Sequence, residues 1–239
     1  MKIKLFTIPN FITLANLLCG CGSILSSLVL GDFKLAFAFV VASAVCDFFD
    51  GFTARLLKQY SDIGVQLDSL ADMVSFGVAP SAAMYAFAAQ SGATLFTLPS
   101  WVVTTLVFVP FIMAAFSALR LAKFNIDDTQ HTEFCGLPTP ANGIFCLSLA
   151  MLAAAGNFTI PKEIILAISI VMATMLISPV RMFALKFKGF GWKGNELRYS
   201  FIVVSAILIA AFTKYAAVGI ILLYIVISTV RHIVNSVKK

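Results

Sequence analysis

The sequence predicts an all-α integral membrane protein, a single bundle of about eight transmembrane helices with both termini on the cytoplasmic side. Three observations predict it: an extreme apolar composition, apolar runs of membrane-crossing length, and a sorted distribution of basic residues. Of the 239 residues, 60% are apolar and only 12% charged, and the mean hydropathy is +0.98. Soluble domains carry roughly 45–50% apolar and about 25% charged residues. A helix needs about 20 mostly apolar residues to cross the hydrocarbon core. Such stretches lie near 9–30, 34–56, 65–90, 99–122, 139–157, 162–184, 198–212 and 215–234. With the first residue inside, 14 of the 17 Lys and Arg residues fall in cytoplasmic links, leaving Lys34, Lys162 and Lys214 outside. Lys and Arg collect on the cytoplasmic side of membrane proteins, so this separation supports orientation and span number together.

The remaining features fit one transmembrane domain over 1–239. The basic start of the chain resembles a secretory signal, but seven more spans follow and Pro9-Asn10 interrupts the run. The five cysteines (Cys19, Cys21, Cys46, Cys135, Cys146) have no paired or zinc-like spacing and read as small packing residues. Prolines 80, 110, 138, 140 and 179 mark kinks or helix ends. The cytoplasmic links 57–64, 123–138 and 185–198 are longer and more polar than the external ones, which places any chemistry on that side. The net charge of +6 reads as positive-inside bias plus attraction to anionic headgroups. Nucleic acid is not an expected partner, because the basic residues are spread over separate stretches.

Four of the eleven acids, Asp47, Asp50, Asp68 and Asp72, lie in or against the second and third apolar spans. Each charge at membrane depth costs at least about 2.5–3.5 kcal/mol, and only Arg55 and Lys58 are near in sequence. A bound divalent cation is the simplest source of neutralisation. Asp47 and Asp50 are i, i+3 at the end of one helix, with Gly51 and Ala54 continuing the stripe. Gly64, Asp68 and Asp72 are spaced i, i+4, i+8 on one face of the next. A short turn lets the two helices face each other, and small residues leave room for a ligand. All-oxygen ligands suit Mg2+ or Mn2+, and four carboxylates can bridge two ions.

The run Asp47-x-x-Asp50-Gly51-x-x-Ala54-Arg55, then eight residues, then Gly64-x-x-x-Asp68-x-x-x-Asp72 resembles the signature of the CDP-alcohol phosphatidyltransferase family at all eight fixed positions. At about 1 in 20 per position, a chance match is of order 10⁻¹⁰ per window. The resemblance implies two metals on the four aspartates, a nucleotide site lined by Gly51, Ala54, Arg55 and Gly64, and Asp72 as general base. Asn10 and Thr13 either cap the first helix or, by the resemblance, also touch the nucleotide.

Further segments are similar to the phosphatidylserine synthase branch: 8–13, 16–20, 72–80, 119–125 and 134–141. Lys123 and Thr139 depart mildly from it. The branch implies CDP-diacylglycerol and L-serine as substrates among the membrane lipids, a homodimer, and an active site facing the cytoplasm at the cell membrane. Serine brings a carboxylate, for which Arg120 is the fitting partner, with Lys123, Asn125 and Ser75 as further headgroup contacts. Arg120 and Lys123 read equally as interface anchors. Glycerol 3-phosphate, inositol phosphate or choline remain alternative acceptors. A divalent-metal transporter is the remote alternative, since intramembrane aspartates also mark ion pathways.

Overall fold

The computed structural model describes residues 5–96, 99, 105–106, 108–127, 133–156, 158–185, 191–192 and 194–237. Within them the chain forms helices α1 (Ile8–Leu28), α2 (Phe33–Leu56), α3 (Asp62–Asp72), α4 (Ala79–Gln90), α5 (Ile112–Ile126), α6 (Thr139–Ala154), α7 (Lys162–Ile177), α8 (Glu196–Phe212) and α9 (Ala216–Val237). A π-helical turn, Met73–Val78, joins α3 to α4 without a break. Pro80 offers no N–H and its ring crowds the carbonyl four residues back, and the widened turn before it relieves that conflict. A 3-10 turn at Val109–Phe111 containing Pro110 leads into α5.

Among the described residues, five helical runs are long and apolar enough to cross a membrane: Ile8–Leu28, Phe33–Leu56, Asp62–Gln90, Val109–Ile126 and Glu196–Ser236. Counted as continuous rods, the described residues make seven, against the eight expected from sequence. The difference lies at 198–212 and 215–234, which fall in one unbroken helical run. That run bends sharply at Thr213, where φ is +33°. Its two arms fold back on each other: Phe201 and Tyr224, 23 residues apart, have ring centroids separated by 5.9 Å.

The expected span 162–184 ends early. Its helix stops at Ile177, and Arg181–Phe183 forms a strand, β2, antiparallel to β1 (Glu133–Cys135). Pro179 bars helical continuation and biases the residue before it to extended backbone. Gly136 follows β1 at φ +78°, and an added Cβ would stand 2.9 Å from the Leu176 carbonyl carbon. Only glycine fits that close approach. The ribbon is tied down by Gly136 N–H to Val180 O and Leu137 N–H to Met175 O, both 2.9 Å.

The bundle has two distinct ends. Contacts of Thr13 with Asp50, Asn125 with Ser69, and Arg231 with Glu133 gather the start of α1 with the ends of α2, α5 and α9. At the other end Ser91 donates to the Ile160 carbonyl at 2.8 Å, and Glu163 accepts from Thr94 Oγ1 and the Leu95 amide at 2.6 and 2.9 Å.

Large apolar side chains fill one core, built by Met84, Phe87, Met113, Leu137, Phe145, Leu176 and Phe183. A second, smaller apolar cluster gathers Val40, Phe76 and Leu147. Between and around them Asn16, Ser23, Ser43, Ser75, Ser117 and Ser148 are all buried, while Leu18, Val45, Ile207 and Val226 face outward. Apolar outside and polar within is the arrangement a lipid solvent favours, because interhelical contact there depends on close packing and hydrogen bonds.

Candidate active site

The site begins with one face of α1. Thr7 is its N-cap and accepts from the Asn10 amide, so Asn10 and Thr13 are freed from capping and sit inside the first turns. Asn10, Thr13, Asn16, Gly20, Ser23 and Ser27 are buried, a polar and small stripe at helical spacing. Thr13 Oγ1 donates to Asp50 Oδ2 at 2.7 Å, and Asn16 Nδ2 donates to Asp72 Oδ1 at 3.1 Å. The Asn16 carbonyl in turn accepts from Ser43 and Ser75, at 3.1 and 3.0 Å. One residue of α1 thus links α2, the π turn and the last aspartate of α3.

Asp47, Asp50 and Asp68 converge, each offering a carboxylate oxygen within 4.8 Å of the others. Asp72 is outside that group but within electrostatic reach of all three, and is held by Asn16. Among the described residues no Lys or Arg forms an ion pair with any of the four. Asp68 Oδ1 is buried without a hydrogen-bond partner. Buried carboxylates without compensation are strongly disfavoured, so this all-oxygen donor set fits a hard divalent cation. Asp47, Asp50 and Asp68 are the residues that would hold it.

Beside the carboxylates opens a cavity of about 190 Å3, lined by Asn10, Thr13, Asp50, Gly51, Ala54, Gly64 and Asp68, with the turn residues Gln59–Ser61 at its rim. A Cβ at Gly51 would meet nothing within 4 Å, so its bare face gives onto open space. Ser61 caps α3 and holds the Gly64 amide at 3.1 Å, which keeps the turn tight. Five of the six residues expected around a nucleotide therefore line one cavity. Arg55 is the exception: it is exposed and does not line it.

The four residues expected around an acceptor are arranged less uniformly. Arg120, on α5, is buried at 8% exposure. Its guanidinium interacts electrostatically with Asp72, one nitrogen reaches Thr139 Oγ1 at 3.5 Å, and its Nε lacks a partner. Lys123 lies against Cys135 Sγ at 3.6 Å, on β1. Asn125 donates to Ser69 Oγ at 2.8 Å. Ser75 is fully buried, bonded to the Asn16 carbonyl and packed against Gly20, where an added Cβ would approach Ser75 Cα to 2.8 Å. Ser75 therefore fastens α1 to the π turn. On the 123–138 link, Glu133 pairs with Arg231 at 3.0 Å.

Two residues were not singled out from the sequence. Asn16 was signalled by its place on the polar stripe of α1, three residues beyond Thr13. Tyr224 Oη donates to the Phe183 carbonyl at 2.9 Å and the side chain interacts electrostatically with Arg120; no local pattern in α9 marks it.

A cluster of membrane-depth carboxylates beside a small-residue cavity defines a class, and comparison with known proteins agrees with it. The CDP-alcohol phosphatidyltransferase profile matches residues 6–180, and the chain belongs to that family. Several relatives carry one name, CDP-diacylglycerol–serine O-phosphatidyltransferase. The protein from Bacillus subtilis (strain 168) is 40% identical over 144 residues, 59% of this chain and 72% of the relative. That of Helicobacter pylori (strain 26695) is 30% identical over 181 residues, 74% of this chain and 72% of its own. One from Methanocaldococcus jannaschii is 32% identical over 149 residues, 62% and 63% respectively.

Proposed function

We propose that the chain is a CDP-diacylglycerol–serine O-phosphatidyltransferase, making phosphatidylserine and CMP from CDP-diacylglycerol and L-serine. The observation that carries this reading is the convergence of Asp47, Asp50 and Asp68 beside the Gly51 cavity, in a chain whose relatives bear that name.

The cavity between α1, α2 and α3 receives the cytidine end, with Asn10 and Thr13 on one wall and Gly51, Ala54 and Gly64 on the other. Arg55 reaches it from outside. The aspartates hold Mg2+ or Mn2+, two ions being the reading taken from the family signature, with Asp72 as the fourth carboxylate. When bound, the divalent cation neutralises the diphosphate and the departing CMP. Asp72 takes the proton of the serine hydroxyl. The serine oxygen forms a bond to the phosphorus that bears diacylglycerol, and the bond from that phosphorus to the CMP oxygen breaks. Asn16 orients Asp72 for this role. Its place outside the tight carboxylate group is consistent with a carboxylate that keeps an oxygen for the proton.

Arg120 supplies the cation for the serine carboxylate. It is buried, forms no ion pair with a carboxylate among the described residues and lies toward Asp72, which supports a place for the acceptor between them. Lys123 and Asn125 border that place through Cys135 and Ser69, and Ser75 acts through the Asn16 carbonyl.

The chain is further read as one domain of eight spans, the last two being the arms of the Thr213 hairpin. Arg55, Lys58, Arg120, Lys123, Arg181, Arg198 and Arg231 lie toward the end of the bundle that holds the aspartates, which supports a cytoplasmic active site at the cell membrane. A homodimer is the assembly that the family resemblance favours.

The test offers purified protein, CDP-diacylglycerol and Mg2+ or Mn2+ with serine, glycerol 3-phosphate, inositol or choline in turn. CMP release with serine alone is expected. Release with glycerol 3-phosphate and none with serine would overturn the assignment of acceptor.

A further inference from the structure

The family match stops at residue 180, yet the structure goes on to fasten a later helix to the acceptor side of the site. Helix α9 makes three contacts with the β1–β2 ribbon. Tyr224 Oη donates to the Phe183 carbonyl at 2.9 Å, with its ring 4.8 Å from that of Phe183. Arg231 pairs with Glu133 at 3.0 Å. His232 Nδ1 accepts from the Arg181 amide at 3.4 Å. Tyr224 and Arg231 are seven residues apart, two turns on one face of the helix, so a single stripe of α9 grips both strands.

The ribbon so gripped is the support on which the acceptor cations rest. Lys123 leans on Cys135 of β1. Two residues after β1, Leu137 is bonded to Met175, and Thr139, which receives Arg120, follows at once. Arg120 is also within electrostatic reach of Cys135 and of Tyr224 itself. A displaced ribbon would carry away Cys135, the contact of Lys123, and the chain leading to Thr139, the partner of Arg120. By contrast the cavity of Gly51 and Gly64 is built by α1, α2 and α3, and no residue of α8 or α9 lines it.

We infer that α9 is a positioning element for the acceptor alcohol, with Tyr224 and Arg231 holding the β1–β2 ribbon so that Arg120 stays toward Asp72 and Lys123 stays against Cys135. It rests on the proposed transferase reading for the identity of the acceptor, though not for the geometry. Neither residue touches the reacting atoms. Their effect falls on acceptor recognition and spares the nucleotide lipid.

The experiment measures CMP release with acceptor varied at saturating CDP-diacylglycerol, and then the converse. Arg231→Glu and Glu133→Arg should each raise the acceptor KM by up to about fivefold, the scale of a partly exposed ion pair. The KM for CDP-diacylglycerol should stay within about 1.5-fold on the same scale. The double exchange, which restores the pair with reversed polarity, should bring the acceptor KM back. Tyr224→Phe keeps the ring packing, loses the bond to Phe183, and should move the acceptor KM in the same direction. Independently of turnover, amide exchange in 133–137 should quicken in Arg231→Glu and slow again in the double exchange.

Equal movement of both KM values, no rescue by the exchange, or unaltered amide exchange would each overturn the inference. The acceptor used is whichever alcohol the unmodified protein turns over. If serine is inert and another alcohol reacts, the serine assignment fails while the positioning role is read from that alcohol. If serine reacts and its KM ignores all three variants, the positioning role fails and the assignment stands.

Discussion

The first four helices and the last two obey opposite rules. The buried face of α1 is polar or small, and 72% of the most apolar window of the α3–α4 run is inside the protein; for the α8–α9 run the share is 6%. The first region buries carboxylates and the groups that position them. The second exposes Val203, Ile207 and Val226 and touches the rest through a few aromatic and polar residues. The family match divides the chain near the same place, covering 6–180. On the proposed function, chemistry belongs to the polar cradle, and on the positioning role inferred for α9 the hairpin acts on it from a distance.

Substitutions that break this contrast should grade accordingly. The largest effect belongs to the carboxylates: Asp68→Asn should lower CMP release by about 10²–10³-fold, as loss of one preorganised electrostatic group does elsewhere. Asn16→Ala comes next. It removes a hydrogen bond to a carboxylate, worth about 1.5–3 kcal/mol, and turnover should fall roughly 10–100-fold. Its signature is loss of kcat with CDP-diacylglycerol affinity retained, as measured by nucleotide-lipid competition. Equal loss of both would make Asn16 a packing residue only.

Gly51→Val tests the cavity wall. Its Cβ meets no neighbour, so melting temperature should hold while the branched side chain enters the cavity and raises the KM for CDP-diacylglycerol by roughly tenfold. An unchanged KM would mean that the nucleotide lies elsewhere. The smallest effect is expected on the hairpin's outer face. Ile207→Ala, at a position 60% exposed, should leave CMP release within about twofold. A large loss there would show that α8 serves the site by a route other than the ribbon.

The sequence made the catalytic core legible because its constraints are local. Two carboxylates three residues apart, two more at i+4 spacing, and small residues between them need only helical periodicity to be read; of the four carboxylates that spacing was expected to gather, the structure brings Asp47, Asp50 and Asp68 together and leaves Asp72 beside the group. The link of Asn16 to Asp72 spans 56 residues and was visible only as a polar stripe without a partner. The ribbon was hidden for a different reason. Residues 181–183 continue an apolar run and read as helix, and only Pro179 and the distant pairing with 133–135 make them a strand. Tyr224 was the least legible of all, since its meaning depends on a fold-back at Thr213 that a two-residue external link only implied. Arg55 shows the reverse case, a motif position that the folded chain leaves exposed.

The most direct test of the central claim is binding of Mn2+ to the full chain, followed by electron paramagnetic resonance with and without CDP. Mn2+ should bind to the unmodified protein and more tightly with CDP present, while Asp68→Asn and Asp47→Asn lose both effects. Equal binding by the unmodified protein and the two variants would contradict it, because the carboxylates would then hold no metal for the lipid diphosphate to meet.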